Sequence, residues 1–400
     1  MVLTAHFIDD DWMLHKKILN FCVIPNHKGE SIAQLLEECL VEWGIEKVLT
    51  ITVDNASAND SGLRDLVDRI SGWGIPNALL HDRKYLHMRC VAYILNLVVN
   101  DGIKMLNTVI QGIRNAVRYV RSSPQRLESF KRCVEKVRIE NKGLVILDVP
   151  TRWNSTFLML ELVLKFKMAF DWLKVNDGHY LPYFTKENHD NIREGPPSTY
   201  DWSEAGIFAS FLRPFYKVIL KVCSSNIPTI HTTFGDLFKI KSLLLENKDN
   251  EFLSMISMLT QEKYAKYWGS IEDMNQYAFV ALVLDPRHKL EKVVGYYEML
   301  YGEDEEKVEI ATNTVKDLLF DLYMIHEELS FDTQQSTSSG GSSQSTTTSG
   351  DPLSSMTKIE RKLKEKSEMR KAKRVVLCTM IWIGFFRILM KGKKSQTLIS

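Results

Sequence analysis

Paired cysteines are missing from this 400-residue sequence: the six present, Cys22, Cys39, Cys90, Cys133, Cys223 and Cys378, stand far apart and form no Cys-x-x-Cys. That spacing writes neither a disulfide framework nor a zinc finger, and it points to a reducing compartment. A long apolar run is missing too. The run at residues 375–386 falls well short of the roughly 20 residues that a membrane-spanning helix requires. The first eleven residues lack the basic-then-apolar pattern of a secretory signal, so a soluble intracellular chain with no membrane partner is expected. Charge of one sign is scarce as well. The formal net charge is +1, which gives no global basic field, although the last fifty residues carry an excess of Lys and Arg over acids. No repeat of fixed period occurs.

What is present is apolar material, 44% hydrophobic and 10% aromatic, enough for a sizeable core. Two short β-rich runs at residues 2–8 and 15–25, joined by a polar turn around Asp9, Asp10 and Asp11, predict an antiparallel hairpin. Apolar residues at Ile32, Leu35, Leu36, Leu40 and Val41 then repeat at helical period, and Gly44 ends that helix. Residues 47–53 read as a buried parallel strand that stops abruptly at Asp54. Asn55, Ser57 and Asn59 offer side-chain oxygens to cap a second amphipathic helix carrying Leu63, Leu66, Val67 and Ile70. Ligand chemistry in open α/β sheets gathers at the carboxyl ends of strands, so Asp54 is placed to hold a divalent metal or, more plainly, to shape a turn.

A further strand is predicted at residues 85–90, running into a helix. From there the period is mostly helical, with Trp172, Phe211, Phe215, Phe234, Phe238 and Trp268 as core aromatics. Residues 308–328 give another amphipathic helix. Residues 333–350 are almost wholly Ser, Thr, Gly and Gln, a composition that cannot offset its ordering entropy. The division expected is an α/β unit at 1–101, a helical block at 102–330, a disordered linker at 331–352, and a basic helical and apolar tail at 353–400.

Four stretches in order, TVDNASAND (52–60), LHMRCVAYILNLVVNDG (86–102), LDVPTRWNSTFLML (147–160) and ALVLDPRHKL (281–290), closely resemble the hAT superfamily of DNA transposases, in particular the RICESLEEPER-type proteins that carry a zinc finger BED domain. LTAHFIDDDWMLHKKILNFC (3–22) is similar to the same family, and the resemblance extends over residues 1–329. It implies α/β plus α: a partial RNase H-like domain interrupted by a large helical insertion, with the linker and tail following. It also implies metal-assisted phosphoryl transfer on DNA, with Mg or Mn held by two Asp and one Glu. Asp54 matches the family's second catalytic Asp. The first Asp and the Glu, which lies in a segment resembling SSVASERVFS, are not matched here.

The expectation that follows is a transposon-derived, nuclear protein, truncated and without catalysis or a cofactor of its own. It would keep weak, nonspecific DNA binding, while the BED finger and the carboxyl-terminal segment through which the family forms oligomers lie outside the sequence. Two rivals stand beside it. An active nuclease would need Asp60, Asp101 or Asp148 to reach Asp54, and a truncated product would have no function of its own. Cys90 and Tyr93 occupy a place where the family shows Cys-x-x-His, and Tyr93 cannot exchange protons as an imidazole does; the plainer reading is a small buried thiol and a core-edge ring. Arg152 and Trp153 match the family's Arg-Trp pair near DNA, suited to a phosphate and an unpaired base, with helix core as the alternative for Trp153. Asp285-Pro286-Arg287 reads as a helix stop, and Asp9, Asp10 and Asp11 as a solvated turn.

Overall fold

The structure is a computed structural model that describes residues 1–8, 11, 13–140, 143–185, 193–224, 228–338 and 382–383. It divides into two compact units: unit 1 comprises Met1–Tyr93, Ser224–Thr232 and the chain from Ser270 on, and unit 2 comprises Ile94–Cys223 and Thr233–Gly269.

Unit 1 opens with the predicted hairpin, β1 (Val2–Ile8) antiparallel to β2 (Leu14–Phe21). Helix α1 (Gly29–Trp43) follows, and Gly44 closes it in the left-handed region at φ 64°, its N–H returned to the carbonyls of Leu40 and Val41. Strand β3 (Ile51–Val53) is buried throughout, and parallel beside it lies β4 (His87–Arg89), with Val53 opposite Arg89. The backbone of β5 (Trp382–Ile383) runs parallel along the other side of β3. Helix α2 (Ser57–Ser71) packs with α1 over this sheet. Ile32, Leu36, Leu40, Leu63, Leu66, Ile70 and Trp73 supply the shared core, each full burial stabilising by about 1.5–3 kcal/mol. Two glycines let the helices approach: a Cβ on Gly29 would lie 2.7 Å from the Gly62 nitrogen, and one on Gly62 would lie 3.0 Å from the Gly29 carbonyl oxygen. Glu37 of α1 is held by Arg69 at 2.9 Å and by the Trp73 indole N–H at 3.1 Å.

Unit 2 is helical. Helix α3 (Val91–Met105) carries the chain into it, and α4 (Asn107–Arg121), α5 (Pro124–Lys136), α6 (Trp153–Val163), α7 (Lys167–Asn176), α8 (Tyr180–Thr185) and α9 (Thr199–Val222) build it. Phe130, Phe157, Phe166, Phe208 and Phe215 are fully buried among them. Helix α9 starts on a reciprocal capping box between Ser198 and Asp201. Helices α10 (Ile230–Glu246) and α11 (Ser254–Trp268) complete the unit.

The chain returns to unit 1 at Ser270, whereas the sequence reading carries the helical block on to residue 330. The reason is local. The Asn275 amide donates to the carbonyls of Tyr85 at 2.7 Å and His87 at 3.2 Å, and the Tyr277 hydroxyl meets His81 Nδ1 at 2.7 Å, so this stretch is tied to the β4 side of the sheet. Helices α12 (Tyr277–Leu284), α13 (Lys289–Tyr301) and α14 (Glu305–Ser338) then pack through Phe279, Val293, Tyr297 and Val315. A helical period cannot tell which unit a helix joins. Helix α14 also takes in residues 331–338, expected as linker, because an established helix extends one hydrogen bond per added residue. The remainder of the linker, and the tail apart from β5, lie outside the described residues, as do Asp9 and Asp10. Among the described residues no helix is long and apolar enough to cross a membrane.

Candidate functional site

The carboxyl ends of β3 and β4 lie side by side, because the Cys90 N–H donates to the Val53 carbonyl at 3.1 Å. Asp54 and Cys90 are therefore the first residues past the two parallel strands. Asp54 sits at the strand tip, as its sequence context predicts, but its carboxylate is already engaged. Oδ1 accepts from the Ala56 N–H at 3.0 Å and from the Asn59 amide. This corrects the expected cap. Asn55, Ser57 and Asn59 do not cap α2 with side-chain oxygens; Ala56 holds the N-cap position without a side-chain bond, and Asp54 takes the amide instead. The tight turn brings the Asp54 oxygen onto that amide, and Asn59, inside the first turn, points its donor back to the acid.

The neighbouring acid, Asp60, lies 3.5 Å from His87 Nδ1. Burial holds the His87 imidazole below its ordinary value, opposed by the nearby Asp60 carboxylate and assisted by Arg89. The polar atoms of the Asn55 side chain are buried without a protein partner among the described residues, an arrangement that costs about 1–3 kcal/mol per group. Cys90 and Tyr93 are both half-buried, whereas the plainer reading expects a buried thiol at the first. Among the described residues no three His, Cys, Asp or Glu side chains converge as a metal site would require. One carboxylate committed to a turn, with a neutral amide beside it, does not fit a pair of divalent cations, whose charge calls for several anionic oxygens.

The other two acids that could have joined Asp54 have different partners. Asp101 lies in unit 2, paired with Lys104 at 2.8 Å and Lys263 at 3.6 Å. Asp148 is buried there with its side chain 0% exposed; it accepts from Arg114 Nε at 2.7 Å, Arg114 Nη2 at 2.6 Å and Thr156 Oγ1 at 2.7 Å. Burial alone would raise the Asp148 carboxyl, but the Arg114 fork and the Thr156 hydroxyl outweigh it and hold the group below the usual carboxylate range. This lock was not readable from the sequence. Arg114 precedes Asp148 by 34 positions, and nothing in either local pattern announces the other.

The same loop places Arg152 and Trp153. The Ser155 hydroxyl has the Arg152 carbonyl at 2.7 Å and the Val149 carbonyl at 2.9 Å to share its one proton, and it accepts the Val149 N–H, which fixes the turn into α6. Arg152 occupies the N-cap position of α6. Trp153 is 3% exposed and belongs to the helical core, so a base could stack on its indole only after α6 moved. Asp285 ends α12 and accepts from the Arg287 N–H, Nε and Nη2, with His231 and His288 at 3.7 and 3.8 Å. The Arg287 guanidinium holds its carboxyl well below the usual range. The Asp-Pro-Arg turn thus carries an internal ion pair at a helix stop.

A parallel strand pair and a helical unit inserted between two parts of one α/β body suit an interrupted RNase H-like fold, and family comparison shows that class. Residues 1–76 match the ZBED1 RNase-like domain, 88–207 the ZBED1 RNase-like helical domain, and 231–326 the hAT-like transposase, RNase-H fold. The chain belongs to the hAT transposase-related family. It is 30% identical over 322 residues to the zinc finger BED domain-containing protein RICESLEEPER 2 of Oryza sativa subsp. japonica, an alignment that covers 79% of this chain and 42% of the relative. It is 31% identical over 314 residues to the putative AC transposase of Zea mays, covering 78% and 37%. A putative transcriptional regulator, tpeD, of Talaromyces stipitatus is 25% identical over 322 residues, covering 73% and 34%. The chain therefore spans less than half the length of these relatives.

Proposed function

We propose that this chain is a transposon-derived nucleic-acid-binding protein that acts in the nucleus and does not itself cut DNA. The observation that carries the reading is the commitment of the carboxylates. Asp54 accepts from its own turn, Asp60 faces His87, Asp101 pairs with two lysines, and Asp148 is locked by Arg114. In-line displacement with two cations needs several anionic oxygens converging on one point, so no metal-dependent step is assigned to these residues.

DNA binding on this reading is weak and carries little sequence preference. It arises from phosphate contacts by Arg152 and by the Lys/Arg-rich end of the chain, and it falls steeply as salt rises because condensed counterions are released. Purified protein incubated with transposon-end DNA and magnesium or manganese is expected to leave the DNA intact while shifting it at low salt. Cleavage that Asp54→Ala abolishes would overturn the first half of the reading, and tight, site-specific binding at physiological salt the second.

A further inference from the structure

We propose that Arg118, Arg126 and Arg193 of unit 2 form a contact surface for the phosphate backbone of a nucleic acid. The proposal rests on the nucleic-acid reading above and gives it a location apart from Arg152 and the tail. From residue 102 to residue 127 the chain carries Lys104, Arg114, Arg118, Arg121 and Arg126 and no acid at all. Arg114 is removed from that set by its buried pair with Asp148, and Arg121 donates to the Val145 carbonyl beneath the same loop.

Lys104 is paired with Asp101 at 2.8 Å, while Arg121 and the three arginines of the proposed surface have neutral acceptors. Arg118 donates to Asn115 Oδ1 at 2.7 Å, Arg126 to Ser122 Oγ at 2.6 Å, and Arg193 to the Tyr183 carbonyl at 2.8 Å. Each of these acceptors is neutral, so among the described residues the charges are positioned without being cancelled. The Arg126 guanidinium lies 4.2 Å from the Tyr119 ring centroid and 5.7 Å from that of Tyr183, and Arg193 lies 4.3 Å from the Tyr183 centroid. Asn115 joins Arg118 to this group, because its amide donates to the Glu194 carbonyl at 3.0 Å, next to Arg193.

Stacking on a ring uses the face of a guanidinium and leaves its in-plane N–H groups for oxygen acceptors, the geometry that suits phosphate. It also removes part of the rotamer entropy that a free arginine loses on binding. Among the described residues, the acids nearby do not neutralise the set. Asp177 accepts the Tyr119 hydroxyl at 2.8 Å and the His179 N–H at 2.9 Å, and Glu194 contributes one exposed carboxylate. Tyr119 is buried and serves only as the floor under Arg126, whereas Tyr183 is half-buried; positive charge beside that one accessible ring favours a nucleic acid over an acidic peptide, since a base can lie against Tyr183 while phosphates meet the arginines.

The test is a binding titration of the full chain on a short labelled duplex at several salt concentrations. The triple variant Arg118→Gln, Arg126→Gln, Arg193→Gln is compared with a control of equal charge change in the same unit, Lys165→Gln, Lys174→Gln, Lys217→Gln, and thermal melting checks the fold of both. The log–log salt slope is expected to flatten by about two to three in the arginine variant, roughly 0.9 per lost phosphate contact, and by less than about one in the control. Should the triple variant unfold, Arg118→Gln with Arg193→Gln, which leaves the Arg126–Tyr119 stack intact, is expected to flatten the slope by about 1.8. A folded arginine variant with the wild-type slope overturns this surface and leaves the nucleic-acid reading standing. Absence of binding by the wild-type chain at low salt overturns both. Equal affinity for polyglutamate, lost in the same variant, reassigns the surface to acidic peptides and overturns the proposal.

Discussion

Two aspartates from two family-like motifs, Asp54 in unit 1 and Asp148 in unit 2, have opposite environments. Asp54 is half-buried at the end of a strand, where both recorded donors fall on one oxygen. Asp148 is wholly buried and uses both oxygens, in three bonds. The first carboxylate can lose its partners and remain solvated; the second cannot. Motif membership alone does not say whether an acid serves chemistry or holds a loop, and the deciding quantity is how its charge is compensated once water is gone.

The comparison breaks or sharpens most clearly at Asp148. Asp148→Ala strands the Arg114 guanidinium in the core and is expected to cost about 3–5 kcal/mol in urea denaturation, whereas Arg114→Met with Asp148→Leu should recover most of the loss. Because the folded Asp148 carboxyl lies below its unfolded value, near 3.9, its contribution is fully present above that pH and is lost as pH falls through the folded value. Trp153→Ala, which hollows the same unit, is expected to cost about 3 kcal/mol or more and to weaken duplex and single-stranded DNA binding alike. Selective loss of single-strand binding with no change in melting would restore the stacking role. Asp54→Ala removes a turn acceptor and should cost only about 1 kcal/mol; a loss matching that of Asp148→Ala would erase the contrast.

The smallest expected effect is at His87. Its folded value is lowered from about 6.5, so its share of stability is whole above that pH and declines as pH falls below it toward the folded value, since the unfolded chain takes the proton more readily. An NMR titration of the His87 ring should show a midpoint below 6.5, and Asp60→Asn should lower it further. A midpoint above 6.5 would mean that Asp60 dominates burial.

Much of unit 1 was legible because it is written in local patterns. The apolar period from Ile32 to Val41 and the glycine after it mark the body and the end of α1, and the β-branched run before Asp54 defines the strand tip. Strand β3 itself is three residues, since only the Val48–Leu79 bridge continues the pairing toward the expected start at residue 47. What escaped was everything that depends on distant partners: Arg114 on Asp148, Asn275 on the Tyr85 and His87 carbonyls, and the Tyr119–Arg126–Tyr183–Arg193 stack. Trp153 shows the same limit in a single residue, because an indole suited to stacking and an indole suited to a core have the same sequence neighbours.

The close crossing of α1 and α2 has a consequence for the strand end. Helix α2 carries Asn59 and Asp60 in its first turn, three and two positions before Gly62, so the depth at which the helices meet also sets how far those side chains stand from Asp54 and His87. Two absent methyl groups act as a spacer of fixed thickness. An alanine at Gly29 or Gly62 would lift the start of α2 by a fraction of an ångström and draw the Asn59 amide off the carboxylate. The freedom of Asp54 to accept any other partner is thus governed by a contact one turn along the helix that follows it.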